Sequence, residues 1–154
     1  MGGICAFKLV PKAINFATIG GTIDQPCLLR KETILLPADQ TSSEYVAWAE
    51  TQIGLILNAE NPDLIVFKLP SPTGAFDQIF KVYFGLAILV LDAAKRGIEA
   101  KHYAAQSLRK KAFGIGPEDD IDDYVRELFD PQDKPWNKDI REAASCALLE
   151  MRRG

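Results

Sequence analysis

Apolar residues follow two rhythms along this chain. Ile4-Cys5-Ala6-Phe7 and Leu64-Ile65-Val66-Phe67 are unbroken runs, as expected of central strands covered on both faces. Residues 3–10 are almost continuously apolar, 13–19 alternate imperfectly, and 27–36 give a third strand that ends at Pro37. Pro11-Lys12 and the stretch from Gly20-Gly21 to Pro26 are turn formers. Three strands with such short links predict an antiparallel meander.

From Thr41 the period becomes helical. Thr41-Ser42-Ser43-Glu44 reads as an N-cap with an acid in the first turn, and Tyr45, Val46, Ala49, Ile53, Ile56 and Leu57 follow at helical spacing up to Asn61-Pro62. After the 64–67 strand and the loop Pro70-Ser71-Pro72-Thr73-Gly74, a long helix is predicted over 76–96, stopped by Gly97. Its wide stripe of Phe76, Ile79, Phe80, Tyr83, Phe84, Ala87, Ile88, Leu91 and Ala94 is expected to pack on the sheet. A short fifth strand, 98–103, precedes helices near 105–112, 119–129 and 137–152. The last carries Ile140, Ala143, Ala144, Ala147, Leu148 and Met151. The order βββ-α-β-α-β-α-α-α predicts an α/β fold. Its five-stranded mixed sheet has three antiparallel strands first, then two parallel, with helices on both faces. No repeat, low-complexity tract or dividing linker interrupts it, so residues 1–154 are expected to form a single domain.

Composition narrows the class. The chain has 154 residues, 47% hydrophobic and 25% charged, enough to bury a core without staples. A net charge of −3 and a pI of about 5.2 argue against a generally basic surface and tight nonspecific DNA binding. Cys5, Cys27 and Cys146 are far apart and form no CxxC pair, which predicts reduced thiols in a cytoplasmic protein. The N-terminus lacks a signal-peptide pattern, and Ala6 stands where myristoylation wants Ser or Thr. The apolar stretch 84–91 is too short to span a bilayer, so a soluble protein without membrane contact is expected.

Candidate chemistry centres on two lysines. Lys8 and Lys68 follow the two strand runs, near the strand ends where open α/β sheets gather their ligands. Elsewhere, Arg109-Lys110-Lys111 beside Gly114-Ile115-Gly116 is the concentrated basic patch apart from Arg152-Arg153. It can contact phosphate or be a solvated face; its glycines do not spell a P-loop. Glu118-Asp119-Asp120-Ile121-Asp122-Asp123 follows Pro117 and reads as helix capping rather than a calcium loop. His102 is the sole histidine, which excludes multi-histidine metal sites. Trp48 and Trp136 read as packing residues.

Three stretches carry a family resemblance: Asn61-Pro62-Asp63-Leu64-Ile65-Val66-Phe67-Lys68, Gly85-Leu86-Ala87-Ile88, and Tyr103-Ala104-Ala105-Gln106-Ser107-Leu108-Arg109-Lys110-Lys111-Ala112-Phe113-Gly114-Ile115-Gly116. The chain resembles the RuvC family of Holliday-junction resolvases, within the RNase H-like superfamily. The ending Arg141-Glu142-Ala143-Ala144-Ser145-Cys146-Ala147-Leu148 resembles that family's acidic, Ala-rich last helix. The resemblance implies four metal-binding carboxylates. Two of their positions fall on Lys8 and Lys68, one on Glu142 and one on Ala144, with Asp139 a substitute.

On this reading the site is degenerate and the protein a pseudoenzyme that binds no cofactor. Its expected partners are DNA, bound weakly through Arg109, Lys110 and Lys111, or a protein, and family likeness suggests a homodimer. Lys8 and Lys68 can neutralise Glu142 and Asp139, bind an anion, or stand exposed with no role. The rival is a Mg²⁺-dependent nuclease with displaced ligands such as Asp63, Asp77, Asp139 and Glu142. A third reading is an interaction module without nucleic-acid contact.

Overall fold

Strands with alternating environments build a sheet with two covered faces, and that is what the computed structural model contains. It describes residues 2–70, 76–129 and 136–153, apart from the side chain of Asp77. Strands β1 (Ile4–Val10), β2 (Ala13–Gly21) and β3 (Pro26–Leu35) form the antiparallel meander. Helix α1 (Ser42–Glu60) leads to β4 (Leu64–Lys68), α2 (Phe76–Lys95) to β5 (Glu99–Tyr103). The strand order is β3-β2-β1-β4-β5, with β4 and β5 parallel to β1. Helices α3 (Ile121–Phe129) and α4 (Lys138–Arg153) complete the chain.

Helix α1 starts where its polar residues dictate. The Thr41 hydroxyl accepts from the Glu44 amide, and the Glu44 carboxylate accepts from the Thr41 amide. This is a reciprocal capping box, and these bonds hold the Glu44 carboxyl below its ordinary pKa. Asn61, left-handed at φ 43°, ends the helix by donating to the Leu57 carbonyl. Helix α3 is opened by Asp120, whose Oδ1 accepts from the Asp122 and Asp123 amides. The acidic run is thus a cap, in keeping with the dipole argument.

Two expectations need correction. Residues 105–112 do not form an α-helix but two 3₁₀ turns, Ala105–Ser107 and Lys110–Phe113. Arg109 lies between them in extended backbone, φ −105°, ψ 146°. Eight residues are too few to offset helix nucleation without strong packing, and here Phe113 alone is buried. The second correction concerns α2, whose sheet-facing residues are Val82, Gly85, Leu86, Leu89 and Ala93. The stripe read from the sequence contributes only the half-buried Ile79 and Ile88. Phe76, Phe80, Tyr83, Phe84, Ala87, Leu91 and Ala94 face outward. The helix is apolar nearly all round, so periodicity could not say which side meets the sheet. Gly85 decides it by close approach. A Cβ there would lie 2.7 Å from both the Leu9 side chain and the Tyr45 hydroxyl.

The core is two layers. Beneath α1 and α2 lie Cys5, Phe7, Leu9, Ile14, Phe16, Ile65 and Phe67. On the other face Ala6, Ala17, Ile19, Val66 and Tyr103 pack under α3 and α4. Trp136 is 5% exposed and stacks on Phe129 at 5.0 Å, and Trp48 packs against the first layer. Both tryptophans are packing residues. Among the described residues no helix is long and apolar enough to cross a membrane.

Candidate functional site: a charge cluster between the sheet and the last helix

Register places a row of polar residues across the sheet. Asn15 pairs with Thr33 and with Lys8, and Lys68 pairs with Tyr103. Phe7 opposite Phe67 puts Lys8 beside Lys68 on the adjoining strand. Strand side chains alternate between faces, so the lysines point away from the apolar layer of Phe7 and Phe67 and toward α4. Thr33 donates to the Asn15 side-chain oxygen at 2.6 Å.

Helix α4 is set over this row by its own cap. Asn137 Oδ1 accepts from the Ile140 amide while its Nδ2 donates to the Thr33 hydroxyl, both at 2.8 Å. The first turns of α4 are thereby anchored to β3, which aims Asp139 and Glu142 at the strand ends. Glu142 Oε2 accepts a very short hydrogen bond from Lys8 Nζ and a second from Lys68 Nζ at 3.1 Å. Asp139 Oδ1 lies 3.5 Å from Lys8 Nζ. Lys8, Lys68 and Glu142 have side chains only 15%, 16% and 20% exposed, while Asp139 is more open at 38%. Burial by itself would raise the Glu142 pKa. The two ammonium groups outweigh it and hold the carboxyl below its ordinary value.

The structure therefore brings Lys8, Lys68, Asp139 and Glu142 into one cluster with formally balanced charge. It does not bring Ala144 there. Two residues on from Glu142, Ala144 turns to the other side of the helix and is fully buried in the apolar layer. The acid paired with Glu142 is Asp139, one turn earlier, on the same face. Of the rival ligands, Asp139 and Glu142 are together at Lys8, but Asp63 is not with them. Asp63 lies just before β4, at the opposite end of that strand from Lys68, with Oδ2 accepting from the Gly3 amide at 3.2 Å. The side chain of Asp77 falls outside the described residues. Among the described residues no three acids, histidines or cysteines come together as a metal site.

A second cluster was missed in the sequence. Tyr103, at the β5 end of the polar row, donates a very short bond from its hydroxyl to Glu150 Oε2. Lys101 Nζ reaches Glu150 Oε1 at 2.6 Å, and the Arg153 guanidinium lies 5.6 Å from the Tyr103 ring centroid. These residues line an open cavity of about 520 Å³ with His102. Burial would raise the Glu150 pKa, but Lys101 and Tyr103 bring it below its ordinary value. A signal existed: Glu142, Cys146 and Glu150 recur at four-residue spacing, which is one helix face. Cys146, between the two glutamates, is fully buried, and burial pushes its thiol up to about 12.

The basic patch is separate. Lys110 and Lys111 line a cavity of about 610 Å³ with Gly114, Ile115 and Pro117. Lys110 donates to the Pro117 carbonyl at 2.9 Å, and Arg152 from α4 donates to the Ala112 carbonyl at 3.0 Å. The fold thus adds Arg152 to the patch read from the sequence. Arg109 is exposed beside it.

No family model matches the chain, and no curated protein does. Solved structures do match. RuvC of Thermus thermophilus, determined in complex with a Holliday junction substrate, has 14% sequence identity. The match covers 99% of this chain and 94% of that one, with a TM-score of 0.81. The yeast mitochondrial Holliday junction resolvase matches with 13% identity, 98% and 78% coverage and a TM-score of 0.77. The fowlpox virus resolvase, determined with its Holliday junction DNA, gives 13%, 98%, 99% and 0.60. Identities this low speak for architecture alone, and the architecture agrees over nearly the whole chain. This protein has the RNase H-like fold in its RuvC-like form.

Proposed function

We propose that this chain is a RuvC-like protein that has lost nuclease activity and serves as a module binding DNA weakly or binding a protein partner. The carrying observation is the double ammonium contact on Glu142. Two-metal phosphodiester cleavage needs several anionic oxygens around cations about 3.5–4 Å apart, and Mg²⁺ keeps to hard, negatively charged oxygen ligands. Here the most enclosed carboxylate of the cluster already has two lysine partners. The residues present do not fit Mg²⁺, because their own cations fill its electrostatic role.

DNA is the favoured ligand for a different reason. Arg109, Lys110, Lys111 and Arg152 gather on one surface, and two of the similar structures hold Holliday junction DNA. A net charge of −3 keeps such binding weak. Branched DNA incubated with the protein and Mg²⁺ or Mn²⁺ is expected to remain intact; cleavage that Glu142→Ala abolishes would overturn the proposal. A DNA titration at rising salt is expected to show affinity falling steeply as counterions compete, and Lys110→Ala/Lys111→Ala should flatten that slope. Calorimetry adds a gain-of-function arm. The double variant Lys8→Asp/Lys68→Glu, with Asp139 and Glu142 in place, is expected to take up Mn²⁺ that the native protein refuses.

A further inference from the structure

Strand β5 is an outer strand of the sheet, with β4 on one side only. Its backbone shows which groups are left over. The Tyr103 carbonyl accepts from the Leu69 amide at 2.9 Å, so Tyr103 turns its N–H and C=O inward to β4. In an unbroken register, successive residues of a strand direct these groups to opposite sides. Lys101 and Glu99, paired with Val66 and Leu64, therefore bond inward as well. Ala100 and His102 point their N–H and C=O groups away from the sheet. Two donor–acceptor pairs are left about 7 Å apart, the two-residue repeat of a strand.

The cavity of about 520 Å³ touches Ala100, Lys101, His102 and Tyr103 in succession. Their side chains alternate between the two faces, so a space that meets all four runs along the outer edge of the strand. Sheet edges are normally guarded by proline, by irregular pairing or by a lysine lying over them. The opposite edge, β3, begins with Pro26 and pairs with β2 through a register break at Thr18/Ile19. At β5 the lysine that could serve is drawn aside. Lys101 Nζ lies 2.6 Å from Glu150 Oε1 and 3.4 Å from Glu99 Oε1.

Charge names the occupant. On the α4 side of this edge, Glu150 is 10% exposed and already has Lys101 and Tyr103 as partners. Lys101 is 45% exposed, and Arg153 is exposed with no carboxylate paired to it among the described residues. An incoming segment meets two cations and a shielded acid there. On the other side it meets Ala100 and the His102 ring, whose centroid lies 6.0 Å from that of Phe67.

We infer that an extended, acidic segment of a partner protein docks along β5 and adds a strand to the sheet through the free backbone groups of Ala100 and His102. Pairing is antiparallel, the more stable arrangement per residue. Acidic side chains at every second position lie over Lys101 and Arg153, with uncharged ones between. This docking rests on the protein-binding arm of the proposed function. Its failure would leave the loss of nuclease activity and the DNA-binding patch standing, because neither uses the β5 edge.

The test is a titration of the ¹⁵N-labelled full chain with a capped heptapeptide alternating valine and aspartate. The largest shifts are expected at the Ala100 and His102 amides. Exchanging the aspartates for lysines should weaken binding about 10-fold or more, and Arg153→Glu should reverse that order at unchanged circular dichroism. Opposed residues share a face, so the valines opposite Ala100 and His102 present their N–H groups to β5. Methylating the valine amides should abolish binding, whereas methylating the aspartate amides should leave it. His102→Pro removes one outward donor at a position where an edge strand tolerates proline, and should weaken binding about 10-fold. Still Ala100 and His102 amides at about 1 mM peptide overturn the docking, as does equal affinity for the lysine peptide. Binding that survives valine methylation overturns the added strand. A tetrathymidylate of equal charge that shifts these amides more than the peptide does overturns the protein partner in favour of single-stranded nucleic acid.

Discussion

The two faces of the sheet are built from neighbouring residues of the same strands, yet they are made of different chemistry. Under α1 and α2 lie Phe7, Ile14 and Phe67, all apolar and buried; one residue further along, Lys8, Asn15 and Lys68 look toward α4. A strand places successive residues on opposite faces, so each strand serves both chemistries without compromise. The apolar face is held by contact area, which is insensitive to charge and pH. The α4 face is held in part by a balance of charges, which is vulnerable to losing any one partner. The lesson is that the same sheet contains a tolerant side and a conditional side.

The sharpest break of that contrast comes from paired substitutions. Phe7→Ala should cost about 4 kcal/mol, as large aromatic deletions in sealed cores do, measured by urea unfolding. Glu142→Ala should cost about 2 kcal/mol, because it leaves two mostly enclosed lysines without their shared acceptor. Replacing all three partners together, Lys8→Met/Lys68→Leu/Glu142→Leu, should return stability to within about 1 kcal/mol of native or above it, since a satisfied ion cluster is often no better than packed hydrocarbon. If the triple variant is as damaged as Glu142→Ala, the conditional side is held by something other than charge balance.

Acidity sharpens the same comparison. The Glu142 pKa is lowered in the folded state, so its contribution is fully present above the ordinary glutamate value and is lost as pH falls through the folded one. Native protein should therefore lose Tm in acid faster than Glu142→Gln does, whereas Phe7→Ala should run parallel to native at every pH. The smallest effect concerns thiols. Cys5 and Cys146 lie on opposite faces, and burial pushes both up to about 12. A thiol reagent at pH 8 is expected to label Cys27 alone in the folded protein and all three in denaturant.

Much of this was legible in the sequence. The unbroken runs at 4–7 and 64–67 named the central strands, and Thr41 with Glu44 named the start of α1. Lys8 and Lys68 stood out at the ends of those strand runs, and the family resemblance joined Asp139 and Glu142 to them. What stayed hidden depended on three-dimensional choice. The 105–112 segment has helical composition, but it is too short and too little buried to hold a helix. Helix α2 has apolar residues all round, and only the close approach at Gly85 reveals its inner side. The Tyr103–Glu150 pair lies 47 residues apart, and no local pattern links a mid-chain tyrosine to a glutamate near the end.

The bond from Lys8 to Glu142 spans 134 positions. While such a chain is being made on the ribosome, both lysines emerge long before their counter-ion. The nascent sheet therefore holds two adjacent bare cations, and only the arrival of the final helix quiets them. A fragment ending before residue 138 is left with that repulsion, so the N-terminal strands depend on the last stretch of synthesis to become a settled structure.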